Sequence, residues 1–144
     1  MLGPISLLIV SGLDARFGWS PVLAGWIPLT ALAALILALL FGNWAFIENQ
    51  FFSGTVRIQT ERGHHVIDTG PYRYVRHPGY VSAIWTYLAT PLLFGSLWGL
   101  IPAVITTALF VLRTALEDKT LQNELPGYKE YTQRTKYRLV PGIW

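Results

Sequence analysis

Two long stretches without a formal charge decide what this chain can become. Phe17 to Ile47 runs 31 residues with no Asp, Glu, Lys, Arg or His, and Tyr80 to Leu112 runs 33. A helix that crosses the hydrocarbon core of a bilayer needs about 20 apolar residues, and both stretches exceed that. Only 13% of the 144 residues are charged, against 52% hydrophobic and a mean hydropathy of +0.40, where a soluble domain carries about 25% charge. The expected fold class is all-α: a single-domain, polytopic helical membrane protein. One long transmembrane helix, a transmembrane helical hairpin and a cytoplasmic helical C-terminal tail make it up.

The remaining charge is segregated, and its sign orients the chain. Of eleven Lys and Arg residues, only Arg16 precedes the first apolar block; Arg57, Arg62, Arg73 and Arg76 lie between the blocks and six follow the second. The excess of positive residues on cytoplasmic loops places residues 54–79 and 113–144 on the cytoplasmic side. The net charge of +3 is accounted for by contact with anionic lipid, so no nucleic-acid partner is expected. The absence of cysteine excludes disulfides, thiolate nucleophiles and Cys-ligated metals.

Residues 1–20 read as a partial helix and a turn. Met1–Leu13 is short for a span, and it lacks the basic start and small-residue cleavage site of a signal peptide; it is a partial helix or the stub of a longer chain. Gly12 to Ser20 is expected to turn outside the cytoplasm, with Trp19 and Trp26 as interfacial anchors. Residues 21–50 form the first full helix, begun at Pro21 or Pro28. Residues 54–79 are a polar connector with a short extended piece over Val56–Thr60. Because both flanks of 80–112 are cytoplasmic, that block must cross an even number of times. Thr90-Pro91 and Gly95-Ser96 supply turn signals, and arms of about 14 and 17 residues reach only ~21–26 Å. In the tail, Arg113–Leu125 is expected to be helical up to Pro126-Gly127, and Tyr128–Arg138 to form a second short helix with Tyr128 and Tyr131 on one face.

Chemistry concentrates beside the hairpin. Gly70-Pro71-Tyr72-Arg73-Tyr74-Val75-Arg76-His77-Pro78-Gly79-Tyr80 is rigid, polar and rich in rings, and it leads directly into apolar chain. Pro78 biases His77 away from helix, which leaves a histidine that either caps the next helix or makes a fixed contact to a bound molecule. Arg113 and Glu117 are four apart, hence on one helix face. They read either as an interfacial ion pair or as a split pair, Arg113 gripping an anionic group through its planar fork and Glu117 accepting from hydroxyls such as a ribose. His64-His65 is a poor metal motif, since neighbouring histidines do not easily face one ion, and no metal site is expected. No Gly-x-Ser-x-Gly elbow, Walker loop or Gly-x-Gly-x-x-Gly is present.

The string Arg76-His77-Pro78-Gly79-Tyr80 resembles the Arg-His-Pro-x-Tyr signature of the isoprenylcysteine carboxyl methyltransferase family, which is related to the membrane phospholipid methyltransferases. Glu117-Asp118, Tyr128-Lys129-Glu130-Tyr131 and Pro141 continue the pattern in order. The resemblance covers about residues 43–144, and the first 40 residues add only hydrophobicity. It implies a polytopic membrane enzyme that uses S-adenosylmethionine without a Rossmann domain. Carried over by motif, the cofactor contacts fall on Gln59, His64, His65, Val66, Ile67, Tyr72, His77, Pro78, Gly79, Tyr80 and Glu117, and the substrate carboxylate on Arg113. Gln59 is matched across a gap. Asp118 stands where the pattern has a second glutamate, and its shorter reach leaves it without an assigned role.

The function expected from this resemblance is an integral membrane carboxyl O-methyltransferase that acts on a lipophilic substrate such as a C-terminal S-isoprenylcysteine. A carboxylate is ionised at neutral pH, so the reaction needs no general base and can run on alignment and exclusion of water. A phospholipid amine N-methyltransferase ranks second, because an amine gains nothing from Arg113. Membrane sterol reductases, which use NADPH, carry a similar Arg-His-Pro-x-Tyr string, and a non-catalytic membrane module is the third alternative. Membrane lipid and a prenylated or other lipophilic small molecule are the expected partners, with a homo-oligomer as one way to complete the site.

Overall fold

The computed structural model describes residues 2–52, 61 and 63–144. Among these there are five α-helices and no strand: α1 Leu2–Phe17, α2 Trp26–Glu48, α3 Pro78–Leu93, α4 Leu100–Glu124 and α5 Tyr128–Arg134, with a 3-10 turn over Gly70–Arg73 ahead of α3. The extended piece expected over 56–60 lies outside the described residues. Two helices, α2 and α4, are long and apolar enough to cross a membrane, and only 17% and 22% of their most apolar windows are buried within the protein. The core helix of a soluble protein would be mostly covered; these present their apolar sides outward, as a helix solvated by lipid does.

The chain divides into two units. One comprises the residues up to Leu40 together with Ser82–Phe110; the other comprises Phe41–Val81 and Val111–Trp144. The first unit is apolar and packed through small side chains: Ala31, Ala38, Ala89 and Ala103 are all buried, and a Cβ on Gly3 of α1 would lie 2.7 Å from Thr106 Oγ1 of α4. Small residues let helix backbones approach where no hydrophobic drive separates protein from lipid. Hydroxyls in this unit bond to backbone carbonyls, Ser82 Oγ to Ala38 at 2.7 Å and Thr106 Oγ1 to Pro102 at 2.7 Å.

Several boundaries differ from the sequence expectation, and α2 begins at Trp26 rather than at Pro21 or Pro28. Helix α1 does not stop near Leu13 but continues to Phe17 and ends at Gly18, whose φ of +63° suits a C-terminal stop and whose N–H bonds Asp14 O at 2.8 Å. The turn signal at Pro91 is overridden, because Pro91 sits inside the last turn of α3 and the chain reverses around Gly95, at φ +70°. No helix boundary falls at Leu112: α4 runs unbroken for 25 residues, about 37 Å at 1.5 Å per residue, since the polar residues after Leu112 are good helix formers and no breaker occurs before Pro126.

Asp14 is the polar centre of the first unit. It is buried, accepts from Ser20 N at 2.7 Å, Ser20 Oγ at 2.6 Å and Ser96 Oγ at 2.5 Å, and so joins the link after α1 to the turn before α4. Leu97 N donates to Ser20 Oγ and Gly99 N to Ser96 Oγ, which completes the bonding of that turn.

Candidate functional site

The second unit holds the chemistry. Its connector enters through Gly70, whose φ of +53° only glycine adopts freely; a Cβ there would lie 2.9 Å from the Glu48 carboxylate. Pro71 fixes the second residue of the 3-10 turn, and Tyr72 is buried beneath it. The Tyr72 hydroxyl accepts from Asn49 Nδ2 at 3.0 Å, and its carbonyl accepts the Tyr131 hydroxyl at 2.7 Å.

Beyond Tyr72 the connector lies alongside the end of the chain. Arg76 N donates to Tyr137 O at 2.9 Å and His77 N to Arg138 O at 3.0 Å. This pairing explains why α5 stops at Arg134 rather than Arg138: Thr135 is extended, at φ −104° and ψ +91°, and the residues after it supply acceptors that a helix would keep for itself. Tyr128 and Tyr131 share one face as expected. Both are buried, their rings 5.4 Å apart and edge-on, and Val66, Leu121 and Leu125 pack around them.

At the centre of this unit is Asp118, fully buried. Its Oδ1 accepts from Arg76 Nε at 2.7 Å and Tyr128 OH at 3.1 Å, and His77 Nε2 lies 3.3 Å from it. Its Oδ2 accepts from Gln122 Nε2 at 2.8 Å, Arg138 Nε at 2.8 Å and Arg76 Nη2 at 3.0 Å. Arg76, only 7% exposed, directs Nη1 to the carbonyls of Thr135 and Lys136, 2.8 Å to each. Such a fork on a carboxylate is among the stronger pairings available inside a protein. Arg138 extends the network outward by lying 4.9 Å over the Trp144 ring.

The surroundings set the protonation of the unit. Burial pushes the Tyr128 phenol well above its ordinary value, and the Asp118 charge adds to the effect; burial likewise raises Tyr131 and Tyr72. All three stay neutral hydrogen-bonding groups at physiological pH. Burial opposes the Arg76 charge, but the hydrogen bond to Asp118 outweighs it and raises the guanidinium value.

Of the expected ligand-contacting residues, His77, Tyr80, Glu117, Arg113 and Val66 lie beside this hub or its tyrosine cluster. Pro78 opens α3 and Gly79 lets Phe52 approach, since a Cβ on it would lie 2.9 Å from that ring. His77 is buried rather than exposed and stacks on Tyr80, ring centroids 5.9 Å apart. The Tyr80 hydroxyl donates to Glu117 Oε2 at 2.5 Å, and the Arg113 guanidinium lies 5.7 Å over its ring. Arg113 and Glu117 therefore meet through Tyr80, on the shared helix face that their spacing demanded. His64 and His65 flank Phe51, at 4.5 and 5.0 Å between centroids. Val66 packs into the tyrosine cluster, Ile67 is half-buried, and Gln59 lies outside the described residues. Among the described residues no group of three or more potential ligands could hold a metal. Sequence reasoning missed the hub itself. Asp118 had no role there, and nothing marked Arg76 and Arg138 as its partners except that buried charge must be paired.

The arrangement offers ring faces, a hydroxyl-accepting carboxylate and a planar cation, which suits a ligand with a nucleoside and a reacting group with a carboxylate. The family model for the Isoprenylcysteine carboxyl methyltransferase (ICMT) family matches residues 29–123. No curated protein matches the chain. Among solved structures it is similar to the eukaryotic intramembrane Ras methyltransferase ICMT, isoprenylcysteine carboxyl methyltransferase, at 20% identity with a TM-score of 0.75. That alignment covers 99% of this chain and 52% of the other, so the chain spans about half the length of that enzyme.

Proposed function

The chain belongs to the isoprenylcysteine carboxyl methyltransferase family, and on that premise we propose that it is a membrane-embedded, S-adenosylmethionine-dependent methyltransferase acting on the carboxylate of a lipophilic substrate, an S-isoprenylcysteine or an analogue. The observation that carries this reading is the Tyr80 constellation: one ring stacked by His77, bonded to Glu117 and overlain by Arg113.

The donor set fits such a cofactor. Glu117 accepts hydroxyl protons, as a ribose requires; Tyr72 and Tyr80 offer rings and hydroxyls; and a π face tolerates a neighbouring cation. His77, Pro78, Gly79, Val66 and Ile67 supply the remaining walls, with His64 and His65 held against Phe51. When bound, S-adenosylmethionine supplies an electrophilic methyl group on a sulfonium. The chain's own residues do the rest. Arg113 binds the substrate carboxylate through its fork and fixes the direction of attack. Glu117 anchors the cofactor, and the buried tyrosines exclude water while staying neutral. No residue has to move a proton, because the nucleophile is already ionised. Alignment of this kind is worth up to about 7–11 kcal/mol.

Membrane-embedded protein titrated with S-adenosylhomocysteine in a calorimeter should give heat, and labelled methyl donor should mark a prenylated-cysteine acceptor. Arg113→Ala should abolish turnover while leaving S-adenosylhomocysteine affinity within about 3-fold, whereas Glu117→Ala should weaken that affinity at least 10-fold, about 1.4 kcal/mol. The opposite pattern would reverse the two roles. Stabilisation by NADPH in place of S-adenosylhomocysteine would make the chain a reductase.

A further inference from the structure

Asp118 has no place in the reaction just described, yet one of its contacts reaches a residue that does. Among the described residues His77 Nε2 faces two groups: Asp118 Oδ1 at 3.3 Å and the Tyr128 hydroxyl at 3.5 Å. An ionised carboxylate can only accept, and the five other donors on its two oxygens, three of them from Arg76 and Arg138, keep Asp118 ionised. The Tyr128 proton is already committed to Asp118 Oδ1 at 3.1 Å, so Tyr128 too can only accept from the imidazole. Both neighbours therefore require the His77 proton to be on Nε2. In the neutral ring the other nitrogen then carries a lone pair, and among the described residues none bonds Nδ1.

We propose that Asp118 is a positioning residue that holds His77 as its Nε2–H tautomer, so that Nδ1 is presented as a hydrogen-bond acceptor for an N–H or O–H of the bound cofactor. The proposal rests on the reading that His77 faces that cofactor. Asp118 never touches the ligand. It acts through the imidazole, and the effect passes onward because the oriented His77 ring stacks on Tyr80, which in turn bonds Glu117. Asp118 has to stay at the centre of its donors rather than reach the ligand, and a carboxylate–imidazole contact of this kind is a familiar way to fix a histidine's tautomer and orientation.

The full chain, labelled with nitrogen-15 histidine and studied by NMR at pH 8, reports the tautomer directly. Wild type should show His77 with Nε2 protonated and Nδ1 bare, and Asp118→Glu should keep that pattern. Asp118→Asn should lose it and weaken S-adenosylhomocysteine binding at least 10-fold, because the carboxamide oxygen is claimed by Arg76 and its NH2 presents donors. Tyr128→Phe leaves no buried charge unpaired and so folds even if Asp118→Asn does not; it should retain the Nε2–H form. A proton on Nδ1 in the wild type, or a tautomer that switches in Tyr128→Phe, would overturn the proposal. If the protein binds no S-adenosylhomocysteine at all, the methyltransferase reading fails, while the tautomer measurement still decides what Asp118 does to His77.

Discussion

Six donors on two oxygens leave Asp118 no spare lone pair, and at the scale of the residue this is where sequence and structure diverge most. Its partners lie 42, 41, 20, 10 and 4 positions away along the chain. Only Gln122, one helical turn on, was visible as a neighbour from spacing alone. The ring-rich motif, by contrast, was legible, because prolines and tyrosines constrain themselves locally. Removing one partner of a buried ion pair costs about 3–5 kcal/mol, since the surviving charge stays buried. Asp118→Asn should therefore lower stability by that order in thermal unfolding. The exposed Asp68–Arg134 pair, 2.9 Å apart with the arginine side chain 66% exposed, is the control: Asp68→Asn should change stability by less than about 1 kcal/mol. Equal effects would deny Asp118 its central place.

At the scale of the element, hydrophobic block length located α2, α3 and α4, and Pro126-Gly127 stops α4 at Glu124 as expected, but other ends differ from the expectation. A helix stops where a breaker or a competing partner stops it, not where hydropathy changes sign. Polarity begins at Arg113, yet α4 continues to Glu124; the expected short helix from Tyr128 was cut at Arg134 because Arg76 and His77 needed carbonyls from the chain beyond it. The glycines test the packing of these elements. A Cβ on Gly99 would meet Ser11 Oγ and lie 2.8 Å from Pro91 Cβ, whereas one on Gly12 meets nothing within 4 Å. Gly99→Ala should destabilise by about 1–3 kcal/mol, as overpacking does. Gly12→Ala, in the interior of α1, should be neutral or stabilise by up to about 1 kcal/mol. Unfolding midpoints of the two variants in the same detergent check the contrast.

For the whole molecule, composition sufficed to announce helices in lipid, and the family resemblance over about residues 43–144 agrees with the family match over 29–123. What composition could not announce was the acid–base behaviour of the buried phenols. Tyr72, Tyr128 and Tyr131 have values raised by burial, so the folded chain keeps their protons at a pH where the unfolded chain, with ordinary values near 10, loses them. Above about pH 10 the folded state binds more protons than the unfolded one, and stability must fall as pH rises; below about pH 9 these groups contribute no slope. Unfolding midpoints measured from pH 8 to 11 should show that decline, and Tyr128→Phe should make it shallower. A slope unchanged by the substitution would mean that Tyr128 ionises freely when folded.

The pairing of Arg76 and His77 with Tyr137 and Arg138 also has a consequence for biosynthesis. The ribosome makes the connector some sixty residues before the segment that completes it. Throughout that interval the two main-chain amides await partners not yet synthesised, and Asp118, made later, still waits for Arg138. A nascent chain stopped at Arg134 should insert its apolar helices normally yet be degraded quickly, and pulse-chase comparison with the chain through Trp144 would reveal the difference. Residues 135–144 would then act as the closing segment by which quality control tells a folded connector from an unfolded one.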